Sequence, residues 1–477
     1  MFGLDPVLSI LLLVCIIAVC VFEFVNGFHD TANAVATVIY TKSLKPTYAI
    51  LLSGSLNFLG VLFGGVSVAM GIVKLMPLDA IIDQTVYQTV AMIMAMIVTA
   101  ILWNLGTWYF GIPCSSSHTL LASILGVCLT FSLLPESHGA GMDWSKASEI
   151  GFSLLFSPLV GFILTLFIMF IFKVLVQDKT IFKEPSDKKE TPTWIKSILI
   201  ATCSGVSFAH GSNDGQKGVG LLMLVLIAII PAQFALNGSL DISQMKNQME
   251  TVQTNMKSMD SVLFRKDDKE IFSKAKNSVL AINQIFHVSD SLKSTISANE
   301  KVKIRKELAV FVKNIDILEE KGYDKDFDQV LTMSVQKTDY KGFKSNVKEI
   351  KKYIEYVPNW VLVLISVCLG LGTMIGWKRI VVTIGEKIGK DHLTYAQGAS
   401  AELAAASTIA FSTFAMKLPV STTQILSSGI AGAMVGSKGV GNLRLGTLKS
   451  IALAWILTFP VCVTMSGLLY YVFRIFA

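Results

Sequence analysis

Two long apolar runs in this chain, at about 7–41 and 195–236, are each cut by a block of polar residues. The first block reads NGFHDTANAVA from Asn26 to Ala36 and follows Glu23; the second reads GSNDGQKGVG from Gly211 to Gly220 and follows His210. About 20 apolar residues suffice for a helix to cross a bilayer, and an ionisable group near its middle costs roughly 3 kcal/mol or more. Several such groups in one run require a polar site at membrane depth. Gly27 can release a helix from regular geometry, and Asp30, Thr31 and Asn33 are types that cap a fresh helix start. Both runs are therefore expected to be broken helices whose freed backbone lines that site.

The device recurs in order. Asp214 stands 184 positions after Asp30, and a second matched pair accompanies the blocks: Pro113-Cys114-Ser115-Ser116-Ser117-His118 and Pro419-Val420-Ser421-Thr422-Thr423-Gln424. Taken singly, each block reads equally well as a satisfied polar patch between packed helices. Four interruptions in two matched pairs point instead to an internal duplication. Apolar runs at about 7–41, 48–73, 88–110, 112–134 and 150–174 form a first half, and runs at about 195–236, 358–377, 396–416, 419–436 and 447–475 a second. The expected organisation is a first transmembrane repeat over 1–174, a charged cytoplasmic linker over 175–194, the start of the second repeat over 195–236, a soluble helical insertion over 237–357 and the remainder of the second repeat over 358–477.

Composition agrees, since 52% of the 477 residues are hydrophobic and 16% charged, with mean hydropathy +0.58. A soluble chain of this size is far less apolar. Val7–Val25 has neither a basic leader nor a small-residue cleavage site, so it reads as a retained span. The net charge of +7 comes from dispersed lysines without interleaved aromatics, which argues for basic cytoplasmic loops and against a nucleic-acid partner. None of the seven cysteines has CxxC spacing, so neither a zinc site nor a disulfide framework is expected.

If each broken run crosses once, Lys42, Lys45, the linker lysines, Lys378, Arg379, Lys387, Lys390, Lys438, Arg444 and Lys449 share the cytoplasmic side. The acidic turns with Asp79, Asp83, Glu136, Asp143 and Glu149 face the other. An odd number of crossings per half inverts the second repeat and leaves both termini outside. The expected fold is an all-α polytopic membrane protein: two inverted repeats of about five spans each, with broken helices and Pro-Ser/Thr tips, plus a soluble helical insertion. That insertion carries Met245, Met249, Val252, Met256 and Met259 at helical spacing, the mark of a packed face rather than a metal box. Crossing parity puts it in the periplasm.

Broken helices and hydroxyl-rich tips offer backbone N–H groups at helix starts, each carrying roughly half a positive charge, which suits an oxyanion. Thr31, Ser115, Ser116, Ser117, Ser421, Thr422 and Thr423 are the candidate anion contacts, although capping alone would also account for hydroxyls there. Asp30 and Asp214 repel a bare anion, so they imply that it travels with cations or protons. Both are candidate metal ligands. Asn33 and Asn213 could complete cation coordination, while Glu23 and Glu402 are candidates for proton carriage. Lys217 reads first as a salt-bridge partner of Asp214 and second as an anion contact. His29, His118 and His210 could titrate, though a motif histidine is more often a fixed hydrogen-bond partner. With no GxxxxGK[ST] loop, nothing suggests an ATP-driven pump, and no tightly bound cofactor is expected.

At these residues the sequence resembles the inorganic phosphate transporter (PiT) family, and within it the bacterial low-affinity Pit type. The resemblance rests on NGFHDTANAVATVIYTK, WNLGTWYFGIPCSSSHTL, FAHGSNDGQKGVGLLMLVLI, GTMIGWKRIVVTIGEKIGK and KLPVSTTQILSS. It implies symport of inorganic phosphate at an inner (plasma) membrane, driven by protons and accepting phosphate as a neutral complex with Mg2+ or Ca2+; Na+ is the alternative coupling ion. Asp30, Asp214, Asn33 and Asn213 then become coupling residues, and the two tips face phosphate. Two departures stand out: Gln424 where the family usually has His, and Asn57 where some sodium-coupled relatives carry Glu, with Glu402 retained. The implied protein is no enzyme, and its partners are phosphate, the co-transported cations, membrane lipids and a possible second copy of itself. An intramembrane enzyme using Asp30 and Asp214 as an acid/base pair, and a partner-binding role for the insertion, are the competing expectations.

Overall fold

The structure, a computed structural model, describes residues 3–76, 84–135, 144–186, 190–258, 266–291, 296–321 and 338–477. For residues 31–33, 146, 258, 266–267, 290–291, 320 and 338–341 only the backbone is described. Expectations for Asp79, Asp83, Glu136, Asp143, Met259 and the linker residues Lys188 and Lys189 therefore lie outside the described residues, as do those for the side chains of Thr31 and Asn33.

Every regular element among the described residues is helical. In chain order these are α1 (Pro6–Tyr40), α2 (Pro46–Phe63), α3 (Ser67–Leu75), α4 (Val86–Tyr109), α5 (Ser116–Ser132), α6 (Trp144–Leu175), α7 (Thr193–Ile229), α8 (Ile242–Ser258), α9 (Lys266–Ser291), α10 (Ala298–Glu320), α11 (Thr338–Lys351), α12 (Asn359–Met374), α13 (Lys378–Lys387), α14 (Tyr395–Ala410), α15 (Thr422–Lys438) and α16 (Leu445–Ile475). Local chemistry sets their ends. Asp5 caps α1 by accepting from Val7 and Leu8 N–H ahead of a proline in the first turn, where its missing donor costs nothing. Thr85 and Gln88 form a reciprocal capping box on α4, and Ser115 and Ser421 cap α5 and α15.

Five described helices are long and apolar enough to cross a membrane, six if the bent pair α12 and α13 counts as one span. Their outer faces suit lipid. Along α1, Val7, Ile10, Val14, Ile17 and Val21 are exposed, whereas Leu12, Cys15, Val19 and Phe22 are fully buried. The exposed set repeats at helical spacing, so one apolar stripe packs inward while another is left for acyl chains.

The chain divides into two compact units, one of Gly3–Val225 with Val357–Ala477, the other of Leu226–Tyr356. In the second, Met245, Met249, Val252 and Met256 are fully buried against Phe272, Val279, Phe311, Ile315 and Val347. The methionine stripe is a core, as its spacing implied. Buried Arg305 donates to the carbonyls of Ala235 and Ile354, tying together the two stretches where the chain enters and leaves this unit. Burial pulls its pKa down to about 10, which still leaves it charged at neutral pH.

One expectation is overturned. Neither motif breaks its helix: α1 runs unbroken through Asn26–Ala36 and α7 through Gly211–Gly220. The glycines serve close approach instead of a bend. A Cβ on Gly27 would lie 2.5 Å from the Leu369 carbonyl oxygen of α12, and one on Gly372 would lie 2.2 Å from that of Phe24. A Cβ on Gly211 would lie 2.2 Å from the Asn57 oxygen of α2, and one on Gly60 2.3 Å from that of Phe208. Two helix pairs thus touch backbone to backbone through matching contacts, a spacing only glycine permits. His29, Asp30, Asn213, Asp214 and Lys217 of the motifs find side-chain partners on neighbouring elements while the backbone stays helical. The chain breaks elsewhere: at 110–115, at 417–421, and between α12 and α13, which meet at 55° where Gly376 has φ 76°.

Candidate functional site

Asp30 on α1 and Asp214 on α7 meet in the interior, 1% and 0% exposed. Ligand atoms of Asp30, Asp214 and His210 all lie within 4.8 Å of one another. The N-termini of α5 and α15 point at this pair, because both tips turn the chain back into the bundle before their caps. Ser116 Oγ donates to Asp30 Oδ2 (2.7 Å), Thr423 Oγ1 to Asp30 Oδ1 (2.7 Å) and Thr422 Oγ1 to Asp214 Oδ2 (3.2 Å). Three hydroxyls from two helix starts therefore converge on two carboxylates. Each start also brings the positive end of a helix dipole, which favours anions.

The other named residues take distinct places. Ser115 and Ser421 face their own helices as caps, Ser115 also bonding the His118 ring (2.9 Å), and Ser117 donates to the Val420 carbonyl of the opposite tip (2.8 Å). Asn213 does not reach the carboxylates. Its amide donates to Thr413 and to the Leu418 carbonyl and accepts from Val420 N–H, so it holds the second tip in place. His29 makes the matching contact in the first half: its ring bonds Thr107, which precedes the first tip, as well as Asp30. Glu23 is buried, bonded to Asn26 and packed so tightly on α7 that a Cβ on Gly218 would lie 2.3 Å from its carboxylate. Glu402 bonds Thr37 and Thr202 instead; Thr37 lies seven residues beyond Asp30, about 10 Å along the helix.

Two further groups complete the site. Lys217, 1% exposed, pairs with Asp214 Oδ2 at 2.8 Å and donates to Ser116 Oγ at 2.7 Å. The salt bridge is the first of the two roles its spacing allowed. His210 bonds Asn57 through Nδ1 (2.9 Å) and turns Nε2 toward Asp214 (3.4 Å). The three-residue spacing to Asp214 made Lys217 legible, whereas the ligand position of His210 depends on which way its helix faces.

Burying two carboxylates side by side is costly without compensation. Lys217 and the hydroxyl donors supply part of it. With both carboxylates ionised and the imidazoles neutral, Asp30, Asp214 and Lys217 sum to one negative charge, which one further cation or proton balances. A cavity of about 630 Å³ opens between the end of α4 and the α12–α13 break, lined by Trp108, Tyr109, Trp377, Lys378, Arg379 and Lys387. Trp108 in its wall packs on Phe28, the neighbour of His29, at 5.0 Å between ring centroids.

Residues 26–466 match the phosphate transporter family. The chain is 37% identical to the low-affinity inorganic phosphate transporter of Buchnera aphidicola subsp. Acyrthosiphon pisum (strain APS), over 97% of this chain and 96% of that protein. It is 36% identical to the low-affinity inorganic phosphate transporter PitA of Escherichia coli (strain K12), over 98% of each. A solved structure described as the sodium-dependent phosphate transporter has a similar fold, with TM-score 0.54 and 18% identity, covering 98% of this chain and 100% of that one.

Proposed function

From the premise that this chain belongs to the phosphate transporter family, we propose that it is a low-affinity inorganic phosphate symporter driven by protons. Phosphate would enter as a neutral complex with a divalent cation such as Mg2+ or Ca2+. The observation that carries this is the meeting of Asp30 and Asp214 beneath two hydroxyl-bearing helix starts. The helix starts and the hydroxyls of Ser116, Ser117, Thr422 and Thr423 would hold the phosphate oxygens once they turn from their present acceptors. The two carboxylates would hold the metal that accompanies the anion, since a hard divalent cation prefers oxygen ligands.

Charge arithmetic supports coupling to one positive charge. A neutral metal–phosphate complex leaves the net charge of the site unchanged, so a single proton neutralises what Asp30, Asp214 and Lys217 leave over. Crossing loaded is then cheaper than crossing half-loaded, which is the basis of coupling. Glu23, whose Oε2 has no hydrogen-bond partner, and Glu402 are further proposed proton seats, each adding one proton to this count where it starts ionised. Sodium is the alternative ion, a hard cation that the carboxylate oxygens of Asp30 and Asp214 would equally suit. The protein would sit in the inner membrane with the 237–357 insertion in the periplasm.

The deciding measurement is uptake of labelled phosphate into proteoliposomes with imposed pH and sodium gradients, with and without Mg2+. Uptake should follow the pH gradient, collapse with a protonophore and survive sodium removal. Sodium-dependent, protonophore-resistant uptake would move the assignment to the sodium-coupled alternative, and product formation without phosphate movement would favour an enzyme.

A further inference from the structure

The two halves of the site can be superposed residue by residue through their contacts. Phe24 and Phe208 touch Gly372 and Gly60, Gly27 and Gly211 touch Leu369 and Asn57, and His29 and Asn213 bond Thr107 and Thr413. Ser116 donates to Asp30 as Thr422 donates to Asp214. All these α1/α7 pairs share the spacing of 184 residues, and at that spacing Asn33 corresponds to Lys217. The halves therefore differ where it matters most for charge: a neutral amide follows Asp30 by three residues, and an ammonium follows Asp214.

The Lys217 ammonium is committed inside the protein. Two of its three donors go to Asp214 Oδ2 and Ser116 Oγ, and Glu23 lies close by against Gly218. Ser116, which donates to Asp30, thereby links the ammonium to the other carboxylate. Asp214 Oδ1 has no hydrogen-bond partner and remains available beside Asp30 and His210. Building on the transport assignment, we propose that Lys217 is a tethered counter-cation. It occupies in the second half the seat that the first half leaves to a mobile ion, so the site takes up one accompanying monovalent charge where a symmetric site would take two. Lys217 is thus a determinant of coupling stoichiometry.

The test uses the full-length protein in proteoliposomes, reading labelled-phosphate counterflow, which needs the binding site but no driving gradient. Sodium chloride, replaced isosmotically by choline chloride, is the probe. Lys217→Asn restores the amide of the first half. Counterflow by this variant in choline should fall roughly tenfold or more, because a buried charge has lost its partner, and should recover as sodium is added. Its sodium dependence should be about one ion steeper than that of the wild type. Lys217→Arg, which keeps the charge in a different shape, should show a sodium dependence no steeper than that of the wild type, whatever its absolute rate.

A Lys217→Asn variant as active in choline as the wild type overturns the proposal. So does one that elutes as a monodisperse protein and stays inactive at every sodium concentration, the result expected if the ammonium grips phosphate directly. A second reading is independent of any variant: equilibrium binding of radioactive sodium to the wild type should find no more than one ion per chain, and two would overturn the proposal. Wild-type protein without counterflow would instead sink the transport assignment itself, so the two failures are distinguishable.

Discussion

Neutralising each of the two buried carboxylates should have unequal consequences for stability. Asp214→Asn removes the partner of a fully buried ammonium, while Asp30→Asn removes an acceptor of hydroxyls and of His29 but strands no cation. Breaking one side of a buried ion pair costs about 3–5 kcal/mol. Lys217 keeps its bond to Ser116, a charged hydrogen bond worth roughly 1.5–3 kcal/mol, so the lower end, about 3 kcal/mol, is the better estimate. At Asp30 the substituted amide keeps one acceptor oxygen, so it can still accept from only one of Ser116 and Thr423, and with no charge stranded the loss is about 1–2 kcal/mol. The difference of about 1–2 kcal/mol corresponds to an unfolding midpoint roughly 1–2 °C lower for Asp214→Asn. Thermal unfolding of detergent-purified protein, followed by the loss of monodisperse material, measures it. Adding Lys217→Met to Asp214→Asn should restore most of the lost midpoint without restoring transport, since it removes the stranded charge. Equal midpoints for the two single variants, or no gain in the double variant, would refute the pairing as the origin of the effect.

Other outcomes follow from the same contacts. Asp30→Asn and Asp214→Asn should each reduce coupled phosphate uptake by about a hundredfold or more, because the seat for the accompanying cation is lost, while membrane expression persists; normal uptake by either removes that residue from the mechanism. Gly60→Ala and Gly211→Ala should each lower stability by about 1–3 kcal/mol, since the new methyl meets a carbonyl oxygen 2.2–2.3 Å away. Gly151→Ala on α6, with nothing within 4 Å, should be neutral or slightly stabilising, and a thermal shift series compares the three. Arg305→Met should loosen the 226–356 unit by about 3 kcal/mol through two lost charged hydrogen bonds, seen as faster amide exchange across Met245–Met256.

The membrane character and the grouping of Asp30 with Asp214 were legible in the sequence, for physical reasons. Charged and amide residues inside apolar runs are expensive enough that their presence marks a site, and their repetition at a constant spacing tied Asp30 to Asp214 and the Ser115 tip to the Ser421 tip. Helical spacing alone identified the methionine core around Met249. Less legible was the work done by each residue. Asn213 looks like a cation ligand in a linear reading, yet its hydrogen bonds hold the second tip in place.

Glycine was the misleading signal. Gly27 and Gly211 raise the freedom of an isolated helix, and a linear reading takes that as a break. In the folded chain they lie where α12 and α2 come within backbone contact of α1 and α7, and the regular helix continues through both motifs. The one-dimensional chain determined which groups must be buried and that they come in pairs, since burial energy depends on residue type and period. Only tertiary structure decided which helix each glycine would touch, that Ser116 would lie among Asp30, Asp214 and Lys217, and that His210 rather than Asn213 would face the carboxylates, because those outcomes depend on the rotation of each helix about its own axis against neighbours hundreds of residues away.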